Sequence, residues 1–268
     1  MVVSKRSIED TPIVLVGAGN LATNLGKALY RKGFRIVQVY SRTAEAARAL
    51  AQEIEADYTT GLDALAKDAQ LYIVALKDEA LIGLLPAMVA GREHALWVHT
   101  AGSVPMSIWQ GRVEHYGVFY PMQTFSKLRE VDFHEIPLFI EASGENELSL
   151  LKKLGHTLSN RVSDATSEQR KSLHLAAVFA CNFTNHMYAL ADQVLQRYGL
   201  SFHAMLPLVD ETARKVHILP PKEAQTGPAV RYDEQVMQTH LDMLADDPKV
   251  QQIYRLLSES IHNLTCNS

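Results

Sequence analysis

Four strand-length apolar runs, residues 11–16, 34–40, 71–76 and 95–99, punctuate the first hundred residues and are rich in Val, Ile and Leu. Between them, at residues 20–31, 44–55 and 79–89, apolar positions recur at helical spacing. Continuous apolar strands separated by amphipathic helices are the pattern of βαβ units, in which a parallel sheet is covered on both faces. Two further strands are predicted at 116–120 and 138–141, with a helix at 147–157.

The second half changes character. No Gly or Pro interrupts the chain from His156 to Tyr198. Thr166 followed by Gln169 forms a capping-box pattern, and Gly199 stands where a helix would be closed. The run therefore predicts one helix of about 32 residues, roughly 48 Å long at 1.5 Å per residue. Further helices are predicted at 202–216, 233–244 and 248–263. No internal repeat or low-complexity tract is present. The expected fold is an α/β Rossmann-type parallel sheet followed by an all-α C-terminal domain, with the boundary near 163–166: residues 1–163 bind nucleotide and residues 164–268 are helical.

Composition narrows the function classes. Of 268 residues, 47% are hydrophobic and 21% charged, too apolar for a disordered chain. The 26 basic and 30 acidic residues give a net charge of −4, which argues against nucleic acid as a partner. Two cysteines, Cys181 and Cys266, cannot build a disulfide framework, so a reducing cytoplasm is expected. The longest apolar runs, such as 71–76 and 175–181, fall far short of the ~20 residues that span a bilayer, and no membrane association is expected. The first ten residues carry no signal-peptide core.

The first strand runs into Gly17-Ala18-Gly19-Asn20-Leu21-Ala22, the G-x-G-x-x-A form of the dinucleotide fingerprint. Gly17 permits the tight turn, Gly19 lets a pyrophosphate approach the backbone, and Ala22 keeps helix and sheet close. The helix start, with Asn20 and Leu21, offers free N–H groups to phosphate. A hexapeptide alone is weak evidence, but the strand before it and the amphipathic helix after it are the context such a site requires. NAD sites place an acid at the end of the second strand for the ribose 2′-hydroxyl. Here that strand ends Val39-Tyr40-Ser41-Arg42-Thr43. A carboxylate would repel a 2′-phosphate, whereas Arg42 can pair with it through two N–H groups and Ser41 can hydrogen-bond it, so NADP is the expected cofactor.

Gly17–Ala22 with Ser41-Arg42 resembles the NADP-binding domain shared by pyrroline-5-carboxylate reductase, ketopantoate reductase and the β-hydroxyacid dehydrogenases. The segments 117–125 (GVFYPMQTF), 174–182 (HLAAVFACN) and 225–233 (QTGPAVRYD), with His240 beyond, resemble a family of oxidoreductases that join a Rossmann-like domain to a C-terminal helical domain of unknown function. The resemblance covers nearly the whole chain. It implies an NADP-dependent reductase whose helical domain dimerises and contributes to the site, here or in a neighbouring subunit.

Ligands of open parallel sheets sit beyond the C-terminal ends of the strands. Lys77 follows one strand; it either meets the cofactor or is half of a solvated charge pair. At the end of the next strand, Thr100, Ala101 and Gly102 could receive the nicotinamide, with Ser103 near the substrate. An ordinary glycine turn with Ser103 capping a helix is the other reading. Gln123 and Thr124 follow Tyr120-Pro121-Met122, where the resemblance to pyrroline-5-carboxylate reductases, which carry Pro-Asn-Thr there, implies a substrate role; stabilising the turn is the alternative.

Hydride transfer to a carbonyl or imine needs a group that protonates the growing oxyanion or amine. Histidine titrates in the right range. His174 and Asn182, about two turns and roughly 80° apart on a regular helix, are the catalytic candidates. In ketopantoate and β-hydroxyacid enzymes this helix carries a catalytic Lys with an Asn one turn later. The present chain departs from that, with Val178 four residues after His174 and its nearest lysine, Lys171, one turn before. Thr226 is a candidate donor to substrate and Arg231 a candidate clamp for a carboxylate, while Asp233 suits a helix N-cap. The eleven histidines form no HExxH, and no zinc pattern, nucleophile elbow or P-loop is present, so no metal is expected. The reading is an NADP(H)-dependent oxidoreductase of a small carbonyl acid, a ketopantoate-type 2-keto acid first. A pyrroline-5-carboxylate-type imine is the second reading, and an NADP-binding regulatory protein without catalysis the third.

Overall fold

The computed structural model describes residues 10–266. Residues 1–9, read above for a leader, and the side chain of Cys266 lie outside the described residues, as do residues 267–268.

The apolar runs of the first half become strands β1 (Ile13–Val16), β2 (Ile36–Tyr40), β4 (Leu71–Val74), β5 (Leu96–His99), β6 (His115–Pro121) and β7 (Leu138–Ala142). Two three-residue strands, β3 (Asp57–Thr59) and β8 (Val162–Asp164), escaped the sequence pattern because each is short and half polar. They form the two edges of a single eight-stranded sheet ordered β3-β2-β1-β4-β5-β6-β7-β8. All neighbours pair in parallel except β6 and β7, which are antiparallel.

Helices α1 (Asn20–Arg31), α2 (Ala44–Glu53), α3 (Asp78–Val89) and α4 (Glu145–Leu158) cover the two faces. Alternation along the strands divides the core between them. Ile13 and Leu15 of β1 meet Leu25 and Leu29 of α1, whereas Val14 and Val16 belong to the opposite layer with Leu81, Leu85, Trp97 and Trp109. Strand β1 is buried on both sides, and the direction of winding reverses between β1 and β4. In such sheets the crevice for a ligand opens at that point.

The predicted long helix is present in three pieces: α5 (Ser167–Ala177), a π-helical turn (Val178–Phe183) and α6 (Thr184–Arg197). Both capping-box bonds form, from Gln169 N–H to Thr166 Oγ1 (3.2 Å) and from Thr166 N–H to Gln169 Oε1 (2.9 Å). Gly199 follows the helix with φ +67°. A stretch free of breakers tells helix from loop, but not a 3.6-residue repeat from an inserted π turn. Beyond it come α7 (Leu206–Lys215), after a 3₁₀ turn at Phe202–Met205, then α8 (Pro221–Ala224), α9 (Pro228–Arg231), α10 (Glu234–Met243) and α11 (Pro248–Cys266). The stretch 225–233, read as a loop, thus contains one short helix. Asp233 caps α10 as expected, accepting from Val236 N–H at 3.2 Å.

Two compact units divide in sequence between Cys181 and Asn182. Helix α5 belongs with the sheet because of Arg170, whose side chain is 1% exposed. Its guanidinium donates to Glu141 Oε2 on β7 (2.6 Å) and to the carbonyls of Ala101 (3.2 Å) and Val104 (2.6 Å) in the loop after β5. Ser167, one turn earlier, donates to the same Glu141 oxygen (2.8 Å) and accepts from Met106 N–H (2.9 Å). Within the second unit, Arg197 pairs with Asp246 (2.7 Å), and His240 Nδ1 meets the Tyr254 hydroxyl (2.8 Å).

Removing one partner of a buried pair leaves an uncompensated charge, while removing both is far cheaper. Arg170→Met should therefore lower stability to urea by about 3 kcal/mol, and adding Glu141→Leu should restore much of the loss. A single substitution costing under about 1 kcal/mol would show the pair to be no more than a solvated surface bridge.

Candidate active site

The nucleotide end of the site forms where β1 gives way to α1. Gly17 has φ +129°, and a Cβ there would collide with the carbonyl oxygen of Ala75 at the end of β4. The turn is fixed by Gly17 N–H donating to Tyr40 O and Ala75 N–H donating to Val16 O, both 2.8 Å. Gly19 is the N-cap of α1, with no atom within 4 Å of where its Cβ would be: an open cradle beside the helix start. Ala22 is 1% exposed and Leu21 packs against the core, as close helix–sheet contact demands. No side chain caps this helix and no acid stands in its first turn, so its N–H groups and positive dipole end remain available to an anion.

Asn20 has a second duty. Its side-chain amide donates to Phe125 O (3.1 Å), and Asn24 donates to Ser126 O (3.0 Å) and to Asn20 O (2.9 Å). The loop after β6 thus hangs on the nucleotide helix. In that loop Gln123 Oε1 accepts both the N–H (2.8 Å) and the hydroxyl (3.3 Å) of Thr124. These bonds are the turn-stabilising alternative of the sequence reading, and both residues remain exposed.

At the end of β2, Ser41 N–H donates to Thr59 O (3.2 Å) and Ser41 Oγ accepts from Thr43 N–H (3.3 Å). Arg42 is exposed and has no ion pair among the described residues. A free guanidinium beside a hydroxyl, with no carboxylate on that strand end, fits a 2′-phosphate. The open cradle at Gly19 fits the pyrophosphate, so the residues present suit NADP.

Beyond β4 and β5 the side chains are more committed than the sequence suggested. Lys77 is the exposed N-cap of α3. Next to it Asp78 accepts a hydrogen bond from Ser103, which therefore bridges two strand-end loops rather than capping a helix; Pro105 is the N-cap of the following 3₁₀ turn. Thr100 is 5% exposed, and its N–H (3.1 Å) and hydroxyl (3.4 Å) both donate to Val74 O. Ala101 N–H donates to His99 Nδ1 (3.2 Å), and Ala101 O accepts from Arg170. Burial, with the Arg170 charge adding to it, pushes the His99 pKa down to about 3 despite the Pro105 carbonyl, so this ring stays neutral. Gly102 is glycine for a reason of its own: a Cβ there would lie 2.7 Å from His174 Nδ1 and 2.8 Å from its Cγ.

His174 therefore lies on the backbone of the β5 loop, at the edge where β1, β4, β5 and β6 all end. Its ring is exposed, and Nδ1 is 3.3 Å from the hydroxyl of Tyr120, the two rings meeting edge to face. Tyr120 is 7% exposed. Burial raises its pKa and the Arg170 charge only partly opposes this, so the phenol keeps its proton. Lys171 is turned to Glu168 at 2.9 Å. Tyr120, Arg170 and Glu141 were not among the predicted site residues. The i, i+4 spacing of Arg170 and His174 was the one signal, but it says nothing of a carboxylate 29 residues upstream.

In the second unit Asn182 lies in the π-helical turn and is exposed. Thr226 is exposed before α9, and Arg231 ends α9 without an ion pair among the described residues.

Residues 12–101 match the family described as "NADP oxidoreductase coenzyme F420-dependent", and residues 136–261 match a domain of unknown function, DUF2520. A solved structure described as a "putative NADP oxidoreductase" from Bacteroides fragilis is 70% identical, covering 96% of this chain and 100% of that one, with a TM-score of 0.93. The chain belongs to this NADP oxidoreductase family. Its cofactor is NADP, and its sheet is the Rossmann-type sheet expected. The oxidoreductase also shares its fold with an imine reductase from Myxococcus stipitatus in complex with NADP+ (TM-score 0.66, 15% identity, 96% of this chain and 93% of that one). A 1-pyrroline-5-carboxylate reductase from Streptococcus pyogenes is similar in fold too (TM-score 0.58, 12% identity, 95% and 99%). None of the curated proteins compared with the chain matches it. The DUF2520 match begins at residue 136, so it takes in β7, α4 and β8 of the sheet as well as the helices. Among the described residues no helix is long and apolar enough to cross a membrane.

Proposed function

We propose that this oxidoreductase reduces the carbon–nitrogen double bond of a small imine acid, with His174 as the proton donor to nitrogen. The observation that carries the reading is the position of His174, exposed on α5 over Gly102 at the C-terminal edge of the sheet. Bound NADPH supplies the hydride. Residues Gly17, Gly19 and the N–H groups of Asn20, Leu21 and Ala22 hold the pyrophosphate, Ser41 and Arg42 the 2′-phosphate, and Lys77, Thr100, Ala101 and Gly102 line the approach to the nicotinamide. Ser103, Gln123 and Thr124 border the substrate. Residues 1–163 act as the cofactor domain and 164–268 as the substrate and dimerisation domain. Within the latter, Asn182, Thr226 and Arg231 are the candidate contacts to substrate.

An imine needs one proton at nitrogen to become an iminium, which then accepts hydride to give the neutral amine with no further proton. A ketone requires a strong donor held at its oxygen throughout hydride transfer, while the negative charge grows there. The lysine that supplies it in ketopantoate-type enzymes has no counterpart next to His174, and Lys171 is paired with Glu168. This favours an imine over the 2-keto acid that the sequence placed first. The 2-keto acid remains the second reading, since Lys77 and Arg231, both exposed, suit a substrate carboxylate. Exposed apolar side chains of the helical unit, among them Leu206, Leu208, Ile218 and Leu264, support a homodimer through that unit. An exposed free thiol at Cys181 suits a reducing cytoplasm.

Purified protein with NADPH and a panel of cyclic imine acids and 2-keto acids should oxidise cofactor with the imines at least about tenfold more efficiently, a barrier difference of roughly 1.4 kcal/mol. Preference for 2-keto acids would overturn the imine reading. No turnover alongside tight NADPH binding would overturn the enzyme reading in favour of a regulatory NADP-binding protein. Because a bidentate charged contact contributes about 1.5–3 kcal/mol, Arg42→Ala should weaken NADPH roughly 10–100-fold in a titration and leave NADH within about twofold. Equal losses for both would contradict the 2′-phosphate assignment.

A further inference from the structure

We infer that Tyr120 is a positioning residue that fixes the tautomer of His174, leaving the imidazole proton on Nε2 and that nitrogen as the one presented for proton transfer. This rests on the proposed role of His174 and adds to it a specific atom and a specific partner. The phenol lies 3.3 Å from Nδ1 and meets the ring edge to face, with centroids 6.4 Å apart. Tyr120 lies in the buried part of β6, with the rings of Phe139 and His174 both beside it, and belongs to neither of the two apolar clusters that fill the sheet's faces. Its hydroxyl is thus a polar group carried into a nearly closed place, where an unmade hydrogen bond is costly.

The ring is confined from two other directions. Gly102 admits it to within van der Waals distance of the backbone, a place any side chain would take. Arg170, one helical turn earlier, locks α5 onto the loop that carries Gly102 through the Ala101 and Val104 carbonyls. The Arg170 charge is itself answered by Glu141, so no free cation from that residue competes for Nδ1.

A neutral imidazole has one donor and one acceptor nitrogen, and whichever contact one makes decides the state of the other. With the phenol proton retained, Tyr120 O–H donates to Nδ1 and the ring proton resides on Nε2. When His174 is an imidazolium, the same hydroxyl turns and accepts from Nδ1–H. In the step itself the imidazolium is the donor: its Nε2–H bond breaks as an N–H bond forms at the substrate nitrogen. The electron pair of the Nε2–H bond stays on the ring, which is left neutral with its proton on Nδ1, held by the Tyr120 hydroxyl. Nε2 then takes a proton from water, and loss of the Nδ1 proton to water restores the resting tautomer. Tyr120 serves both states without ionising, which its burial disfavours.

The test reads the resting protein, without substrate. Nitrogen chemical shifts of the His174 ring, taken at a pH where the imidazole is neutral, should show Nε2 protonated and Nδ1 bare in the native protein. Tyr120→Phe should give a mixture of both tautomers. With the substrate found in the panel, the same variant should lose about 10–100-fold in kcat while the Kd for NADPH is unchanged. A native ring protonated on Nδ1, or a tautomer unchanged by Tyr120→Phe, overturns the inference even if imines turn over. Failure of every imine leaves the tautomer measurement decisive on its own. Should Tyr120→Phe fold poorly, the native tautomer alone decides.

Discussion

A single buried charge organises the site. Arg170 carries its guanidinium to 1% exposure, which is tolerable because Glu141, two carbonyls and the Ser167 hydroxyl answer it together. Those partners come from three places: strand β7, the loop after β5, and the first turn of α5. The pair therefore does more than staple a helix to a sheet. It sets the height and rotation of α5 over the strand ends, and so decides where the residue one turn later, His174, stands. The same guanidinium grips the loop that contains Gly102, so the ring and the surface beneath it are positioned by one group.

The nucleotide end depends on a different constraint, the steric limit at the crossing of β1 and β4. Gly17 takes a backbone conformation that L side chains avoid and presses on the Ala75 carbonyl, which brings the start of α1 to the point where the sheet's winding reverses. Asn20 and Asn24 then extend that helix's influence to the loop after β6. Cofactor helix and the loop bearing Gln123 and Thr124 are thereby one assembly. The family membership and the NADP cofactor agree with this geometry, and both ends of it lie on the same edge of the sheet.

Much of this was legible in the sequence where the signal is local. The strands around Leu15, Ile73 and Val98 announce themselves by apolar continuity, α1 by its period, the start of α5 by Thr166 and Gln169, and the cofactor by Gly17–Ala22 with Arg42. Edge strands β3 and β8 were hidden because three residues with polar members, such as Asp57 and Asp164, carry no period. The π turn at Val178–Phe183 was hidden because an inserted residue leaves no trace in composition. Of the residues singled out in the sequence, His174 stands at the strand ends, and Thr100 and Ser103 are hydrogen-bonded to Val74 and Asp78. Tyr120, Arg170 and Glu141 were missed because their meaning arises only when distant segments are brought together. Gly102 was singled out for closeness to a nicotinamide, and the His174 ring that also lies against it carries no signal in the sequence.

The central claim is that His174 and the fingerprint at Gly17 serve one reaction centre. The most direct measurement is a crystal structure of the protein with NADPH and a non-reactive imine or amine acid. The account predicts the 2′-phosphate between Ser41 and Arg42, and His174 Nε2 within hydrogen-bond reach of the ligand nitrogen, about 2.6–3.2 Å. It also predicts the ligand carbon about 3–3.5 Å from the nicotinamide C4. A nicotinamide bound with His174 facing away from the ligand, and another side chain at its nitrogen, would contradict it.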